Sequence, residues 1–374
     1  MRFLILFIVG VTIFSCSLGK KSDGNVEVVK NGVKPLDPNF KIDLEYVGEI
    51  KSDEKNSFGQ AYAISMDSKG DIYLTEQYRM IHKYNGKGNF IKNIGKNGGG
   101  PGEYSYLVTS FVSMDTVYAI DAASQKCIKY DLDGNYLSDF PLKGSFPGMV
   151  YSSNDNLVGL VIKNVMNENK IMMRYYLSIL NRDISFKEIL FEDSLFLDPN
   201  NMGALMDMGM LAMLVTLDKD GYYMAESSEN IYKINYYDKD GNLTKEITKN
   251  YAKIPYSKKE IELTNKVIGE MFKKALTPQL AESMKFDKKY KRAINDIKSD
   301  HLNRLWVNGG NKDIQTFDFP LKYDIFKDGK FINSVPLMDG DNPILMTGQT
   351  FILGDRLFVN DMKNSKVKMY KILN

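Results

Sequence analysis

A phrase of short β-runs and polar turns recurs along the chain at intervals of about 40 residues. Clear copies are "VSMDTVYAIDAASQKCIKYDLDGNYLSDFPL" at 112–142 and "VTLDKDGYYMAESSENIYKINYYDKDGNLTKEI" at 215–247. In each copy, β-branched and aromatic residues alternate with polar ones, and the runs end at Gly, Asn or Asp, which is typical of antiparallel hairpins. A repeat of this length with four strands per copy predicts the blades of a β-propeller.

Four further copies lie at 63–95, 146–191, 296–337 and 351–373. The copy at 146–191 lacks the usual turn glycines, and the copy at 351–373 has only three strands. The strand-like run "FKIDLEYVGEI" at 40–50 can supply the missing outer strand, and ring closure of this kind removes an open sheet edge. The prediction is an all-β fold over 40–374, a six-bladed β-propeller whose N-terminal strand closes the last blade.

The stretch "GKNGGGPGEY" at 95–104 is a candidate phosphate loop, but a P-loop requires a Gly-Lys-Ser/Thr ending that leads into a helix. Here the glycines end in Pro101-Gly102-Glu103, where proline has no amide to donate and glutamate would repel a phosphate. The stretch follows one outer strand and precedes the next inner strand. We therefore predict a crossover between blades, in which Gly102 needs a positive φ.

Residues 249–298 interrupt the repeat and contain 13 lysines and arginines against 6 aspartates and glutamates. Helical periodicity at Ile261, Val267, Ile268, Met271 and Phe272 predicts a small helical insertion at about 255–295, which Pro278 divides into two helices. The basic insertion could face anionic lipid headgroups or an acidic partner, or it could be a solvated cover over one edge of the ring.

The N-terminus carries Arg2 and an apolar run of about a dozen residues, too short to span a bilayer. The following Ser15-Cys16 resembles the lipobox of bacterial lipoproteins, which implies a signal peptide at 1–15 and a lipid on Cys16. The alternative is an ordinary signal peptide that happens to contain a cysteine. Residues 16–39 are then predicted to form a solvated tether. Cys127, the other of the two cysteines, would have no partner for an intrachain disulfide.

Composition excludes several classes of function. A formal net charge of +2 predicts no general attraction for nucleic acid. With only His82 and His301, a multi-histidine metal site is excluded, and no Gly-x-Ser-x-Gly hydrolase motif occurs. The Asp-x-Asp-Gly-Asn phrases at 131–135 and 238–242 are better explained as hairpin turns than as calcium loops. A methionine cluster, Met202 to Met213, is either packing or a soft copper site.

The chain resembles the lipid-anchored six-bladed β-propeller proteins of Bacteroides-type bacteria, which are distant relatives of NHL-repeat propellers. The resemblance rests on "IGKNGGGPGEY", on "YKRAINDIKSDHLNRLWV" at 290–307 and on the lipobox. It implies a propeller over nearly the whole mature chain, held at the cell envelope by the N-terminal lipid. Because Ser17 to Lys21 carries no acidic run, the resemblance also favours the periplasmic side over the cell surface.

Two hypotheses on function follow. The first is a non-catalytic binding or scaffold module that recognises a protein, peptide or glycan and needs no cofactor. The second is a lactonase- or lyase-like enzyme with one calcium ion in the central channel, held by acidic side chains from different blades. Candidate ligands, each following a second strand, are Glu76, Asp121, Glu226 and Asp361.

Overall fold

The computed structural model describes residues 26–52, 54, 56–59, 61–76, 80–142, 146–153, 156–167, 170–197, 213–226, 228–272, 286, 288–309, 319–346, 348–361 and 363–374. Its main elements are six sheets of four or five strands, which follow one another along the chain as blades. The predicted signal peptide at 1–15, Cys16, Met202 to Met210 and most of the predicted second helix after Pro278 lie outside the described residues. The last part of that predicted helix, 288–295, is described and is not helical.

The strands follow one another blade by blade along the chain. Two strands come first, β1 (Glu27–Asn31) and β2 (Leu44–Lys51). Blade one contains β3 (Ala61–Met66), β4 (Ile72–Glu76), β5 (Met80–Tyr84) and β6 (Phe90–Ile94), followed by the short strands β7 (Lys96–Asn97) and β8 (Glu103–Tyr104). Blade two contains β9 (Leu107–Ser113), β10 (Thr116–Asp121), β11 (Lys126–Asp131) and β12 (Tyr136–Pro141). Blade three contains β13 (Phe146–Ser153), β14 (Asn156–Asn167), β15 (Lys170–Leu180) and β16 (Phe186–Leu197).

The second half of the chain repeats this order with one insertion. Blade four contains β17 (Met213–Leu217), β18 (Gly221–Glu226), β19 (Lys233–Asp238) and β20 (Leu243–Lys249), and helix α1 (Lys258–Phe272) follows it. Blade five contains β21 (Ile294–Ser299), β22 (Arg304–Gly309), β24 (Lys322–Lys327) and β25 (Lys330–Pro336). The short strand β23 (Phe319–Pro320) precedes β24 in the chain and belongs to a separate two-stranded sheet. After the short strands β26 (Met338–Asp339), β27 (Asn342–Pro343) and β28 (Leu345–Met346), blade six contains β29 (Thr350–Leu353), β30 (Arg356–Asp361) and β31 (Lys366–Ile372).

The ring closes as predicted. Strand β2 pairs antiparallel with β31, from Leu44 opposite Ile372 to Lys51 opposite Lys366, and so becomes the outer strand of blade six. The closing strand begins at Leu44 rather than at residue 40. Blade six therefore combines strands from the two ends of the fold, and backbone hydrogen bonds hold the strand that leads into blade one.

The hydrophobic core is divided into six clusters of buried side chains, one at each boundary between neighbouring blades. Trp306 and Tyr323 of blade five pack against Tyr370 of blade six, and all three are buried. At the closing boundary, Phe358 of blade six packs with Tyr84 of blade one. Because each blade buries both of its faces, a strand alternates between two cores rather than between core and solvent.

The structure differs from the predicted solvated tether over residues 27–39. Strand β1 pairs in parallel with β20 and adds a fifth, outermost strand to blade four. Farther along, the amides of Leu36 and Asp37 donate to the carbonyls of Phe331 and Ile332 at 3.2 and 3.1 Å. The segment 27–43, here called the N-terminal belt, therefore runs over the rims of blades four and five before β2 enters blade six.

The helical insertion is confirmed in its first part. Helix α1 begins after a capping box, in which the Ser257 amide donates to Glu260 Oε2 at 2.7 Å and the Glu260 amide donates to Ser257 Oγ at 3.2 Å. The predicted end at 295 is slightly late, because β21 begins at Ile294. No described helix has the length and the apolar composition that a membrane span requires.

Candidate functional site

All second strands of the ring end at the same face. Because neighbouring strands in a blade are antiparallel, the second and fourth strands end together, and the chain crosses from there to the next blade. We call this the crossover face. The structure places Glu76, Asp121, Glu226 and Asp361 there, as the last residues of β4, β10, β18 and β30.

The buried Asp121 stabilises the polypeptide around it. Its carboxylate accepts hydrogen bonds from the amides of Ser105, Tyr106 and Ala123 at 3.1, 3.0 and 3.1 Å. Burial raises the pKa of Asp121, but the hydrogen bonds from these amides lower it by more. The pKa therefore lies below its ordinary value. The carboxylate therefore fastens the entry into blade two.

Among the described side chains, Glu76 and Asp361 do not form a metal site with Asp121. Asp361 Oδ2 accepts a hydrogen bond from Asn364 Nδ2 at 2.9 Å within its own loop. Where side chains are described, no group of three or more His, Cys, Asp or Glu residues could hold a metal ion. The Glu226 side chain lies outside that part of the chain. A calcium ion bound by these four residues stays a prediction.

The two Asp-x-Asp-Gly-Asn phrases are hairpin turns, as predicted. Asp131 Oδ1 accepts the Asn135 amide at 2.8 Å, and Asp238 Oδ1 accepts the Asn242 amide at 2.9 Å. In each turn the glycine has a positive φ, 81° at Gly134 and 80° at Gly241. The carboxylates are thus used to close the turns.

The glycine-rich stretch is the crossover from blade one to blade two. Strands β7 and β8 pair in parallel across it, and Gly102 between them has φ 69°. The carboxylate of Glu103 accepts the Gly100 amide at 2.9 Å and pairs with Lys96 at 2.9 Å. One anionic side chain therefore occupies the space in which a phosphate would have to bind.

A pocket of about 160 Å³ opens on the crossover face at the boundary between blades four and five. Its lining residues come from the ends of strands in both blades and from the two connections to the helical insertion. They are Tyr232, Lys249, Tyr251, Ala252, Ile254, Ala293, Gly309, Lys322, Asp324 and Ser334.

The polar floor of the pocket is organised by Asp324. Its Oδ2 accepts hydrogen bonds from the Tyr232 hydroxyl at 2.9 Å and from Lys249 Nζ at 2.8 Å, and its Oδ1 accepts one from Ser334 Oγ at 2.7 Å. Burial, and then the charge of Asp324, raise the pKa of Tyr232 well above its ordinary value, so its hydroxyl remains a donor. Lys249 Nζ also lies 4.2 Å from the centre of the Phe331 ring.

The rim of the pocket is built by the base of the insertion. The Tyr251 hydroxyl donates to the Glu229 carbonyl at 2.7 Å, and the Ala293 amide donates to the Ser228 carbonyl at 2.7 Å. Beyond the rim, the two connections pair with each other at Pro255 and Tyr290. Helix α1 is joined to this base by an ion pair between Glu260 and Lys291.

Comparison of the sequence with known protein families also indicates a six-bladed propeller. The sequence model of a family described as "6-bladed beta-propeller" matches residues 20–301. The chain belongs to this family. No curated protein matches the sequence significantly.

Solved structures resemble this six-bladed propeller only distantly. A protein of Bacteroides fragilis NCTC 9343 is 14% identical, with a TM-score of 0.36, and the match covers 71% of this chain and 98% of that one. BamB from Moraxella catarrhalis is 9% identical, with a TM-score of 0.39 and coverage of 90% and 95%. The WD40 domain of Pan2 from Neurospora crassa is 10% identical, with a TM-score of 0.42 and coverage of 90% and 98%.

The pocket of this propeller was not among the sites predicted from the sequence. Its residues are distributed over about a hundred positions, from Tyr232 to Ser334, and none of them forms a recognisable short motif. One signal was available: the basic insertion interrupts the repeat between blades four and five, and an insertion in a crossover must lie on the crossover face.

Proposed function

We propose that this propeller is a non-catalytic binding module of the cell envelope that holds a protein, peptide or glycan on its crossover face. The observation that carries the proposal is the pocket between blades four and five. It combines tyrosine rings, a lysine and fixed hydrogen-bonding groups in one concave site, as ligand-binding pockets commonly do.

The chemistry of the pocket floor supports binding. Asp324 accepts three hydrogen bonds and is paired with Lys249, and the raised pKa of Tyr232 keeps that hydroxyl protonated. Groups that are held in this way present a rigid polar surface rather than a proton acceptor for catalysis.

The charge around the pocket favours an anionic ligand. Lys322 is exposed on the rim, and the adjoining insertion is part of the segment 249–298, with 13 basic against 6 acidic residues. Positive potential at a concave site attracts carboxylates or other anions and increases the rate of encounter.

Arrays of glycans and peptides, probed with the purified protein, test this proposal. We expect Lys322→Glu to weaken binding of any selected ligand by roughly tenfold or more, since a rim cation becomes an anion. Lys327→Glu is the matched control, because Lys327 is also exposed and lies at the other end of β24. An equal effect of both substitutions would place the ligand elsewhere.

We also propose that the lipid on Cys16 anchors the module, with the periplasmic side favoured over the cell surface. Cys16→Ala should release the protein from the detergent phase into the aqueous phase during fractionation, because it removes the lipidated thiol. Protease treatment of whole cells distinguishes the two sides. Identical partitioning of wild type and Cys16→Ala would contradict the anchor.

A further inference from the structure

The N-terminal belt holds a row of apolar side chains toward solvent. Val28, Val33 and Leu36 are 52%, 67% and 65% exposed. They are not on a loose segment: β1 is paired along its length with β20, and the Leu36 amide is bonded to Phe331. Because side chains alternate along a strand, Val28 and Lys30 of β1 face outward while Val29 and Asn31 face the blade.

Basic residues are interleaved with this apolar row. Lys30 and Lys34 are both exposed, and the exposed Glu27 at the start of the belt is paired with Lys245 at 3.2 Å. Farther along the belt, the exposed Lys41 lies between two exposed acidic residues, Asp37 and Asp43. Both carboxylates are engaged, because Asp37 accepts the Asn39 amide at 3.0 Å and Asp43 Oδ2 accepts Asn374 Nδ2 at 2.7 Å. Exposed apolar side chains beside lysines are the composition expected of a surface that rests on a membrane with anionic headgroups.

The position of the belt along the chain identifies which surface it meets. Glu27 is the eleventh residue after Cys16, so the intervening chain spans at most about 40 Å even when fully extended. A lipid on Cys16 therefore holds the rim of blade four, where β1 lies, within that distance of the bilayer.

We propose that the rim of blades four and five docks edge-on against the membrane through the N-terminal belt. This inference rests on the lipid anchor proposed above, and it adds an orientation to it. Edge-on contact places the pocket at the boundary of blades four and five close to the membrane surface. The crossover face then stands beside the bilayer and stays open to ligands.

A matched pair of tryptophan variants tests the orientation. Leu36→Trp places the probe on the belt, and Leu137→Trp places it on β12 of blade two, on the opposite side of the ring, where Leu137 is 54% exposed. The single native tryptophan, Trp306, is fully buried and gives the same background in both variants. In vesicles that contain brominated lipids, we expect quenching of Leu36→Trp to exceed that of Leu137→Trp severalfold. Equal or reversed quenching would overturn the proposal.

A chemically attached lipid distinguishes a wrong orientation from the absence of natural lipidation. Unlipidated protein can be coupled through the Cys16 thiol to a maleimide lipid in the same vesicles. Cys127 does not compete, because it is buried and burial raises the pKa of its thiol to about 12. If the natural protein lacks a lipid, the coupled protein still shows the predicted quenching difference when the orientation is correct, and shows none when it is wrong.

The lysines provide a second test. In the unanchored Cys16→Ser protein, reversing Lys30 and Lys34 to glutamate should reduce binding to anionic vesicles by at least about fivefold per lysine. Lys87→Glu with Lys92→Glu, two exposed lysines of blade one, is the control and should have a smaller effect. A belt that instead joins two copies of the chain would show a dimer in sedimentation that Leu36→Asp abolishes, and that result would overturn membrane docking.

Discussion

Two buried aspartates perform the same task in blades one and five. Asp67 Oδ2 accepts the Tyr73 hydroxyl at 3.1 Å, and Asp300 Oδ2 accepts Trp306 Nε1 at 2.8 Å. Each carboxylate also accepts amides of its own turn, that of Lys69 in the first case and that of Leu302 in the second, both at 3.0 Å. One side chain thus closes the hairpin between the first two strands and orients the large aromatic residue that fills the neighbouring core.

At Gly102 the backbone itself sets a limit on substitution. Its φ of 69° is rarely adopted by L-residues, and a Cβ there would lie 3.0 Å from Tyr136 Cβ. We expect Gly102→Val to cost roughly 1–3 kcal/mol of unfolding free energy. Gly99→Val is the control, since a Cβ there meets nothing within 4 Å. Thermal melting of both variants is the measurement, and similar melting temperatures would show that the crossover is not strained.

Glu103 of the same crossover is expected to matter more for stability than its partly buried position suggests. Its hydrogen bond to the Gly100 amide, then its pairing with Lys96, hold the pKa of Glu103 below its ordinary value. The sequence alone predicts little effect of Glu103→Gln unless the side chain caps neighbouring amides, and the structure shows that it caps Gly100.

His82 should make stability depend on pH. It is 3% exposed, its Nδ1 lies 2.8 Å from Asn93 Oδ1, and its Nε2 has no hydrogen-bond partner among the described residues. Burial lowers the pKa of His82 and outweighs the bond to Asn93 and the charge of Glu76, which raise it. Below pH ~6.5 the unfolded chain binds a proton at His82 that the folded protein does not. The contribution of His82 to the free energy of unfolding is therefore fully present above that pH and is lost as pH falls.

Denaturant unfolding between pH 5 and pH 7.5 checks this dependence. His82→Gln should flatten the slope by up to about 1.4 kcal/mol per pH unit below the ordinary histidine pKa. His301→Gln, at an exposed turn, is the control and should keep the wild-type slope. The assignment to His82 fails if the wild-type and His82→Gln slopes coincide.

At the scale of elements, the N-terminal belt joins blades that are already complete. Blade four has its four strands without β1, and blade five has its outer strand in β25. The belt adds hydrogen bonds at the boundary between them, and it covers the outer edge of β20, which would otherwise be open. The insertion, with α1, follows directly from the end of β20, where the Asn250 amide donates to the Asn31 carbonyl at 2.9 Å.

Asn31 connects the belt to both blade four and blade five. Its Nδ2 donates to the carbonyls of Thr248 and Gly329 at 3.1 and 2.9 Å, and its Oδ1 accepts the Phe331 amide at 2.8 Å. We expect Asn31→Ala to cost roughly 1–3 kcal/mol, because partly buried backbone groups of two blades lose their partner. Asn39→Ala, exposed on the same belt, should change stability by less than ~0.5 kcal/mol. Chemical denaturation of the two variants measures the difference.

For the whole molecule, the six core clusters make every blade depend on both of its neighbours. Blade six combines β2 and β31, which come from opposite ends of the described chain. Its core contact with blade one is the closing boundary of the ring. Contacts across it join residues about three hundred positions apart, such as the Ala61 carbonyl and Asn360 Nδ2. Pairings of this kind form late and slowly, because loop closure must precede them.

Two N-terminal truncations separate closure from the belt. A protein that starts at residue 40 lacks residues 27–39 of the belt and retains β2, and it should fold with a modest loss of stability. A protein that starts at residue 52 also lacks β2, which leaves the edge of β31 unpaired, and it should aggregate or melt far below wild type. Light scattering and thermal melting are the measurements. Equal behaviour of the two truncations would show that β2 does not hold the ring closed.

The sequence by itself determined the number of blades, the four-strand repeat, the closing strand and the crossover at 95–104. These features depend on local alternation and on turn residues, which act over a few positions and therefore appear directly in the sequence. The first helix of the insertion was predictable for the same reason, from its periodicity.

Only the tertiary structure decided where the polar side chains and the N-terminal segment lie. Asp121 is a predicted ligand from the sequence, but the fold brings the amides of residues 105 and 106 onto it. Residues 27–39 are polar enough to read as a tether, yet Asn31 meets Gly329, 298 positions away in the chain. The pocket combines Tyr232, just before β19, with β20, β22, β24, β25 and the base of the insertion. The side-chain periodicity within one strand gives no information on such neighbours. The contacts of the N-terminal segment arise because the ring places the first residues of the fold beside blades that are made from its second half.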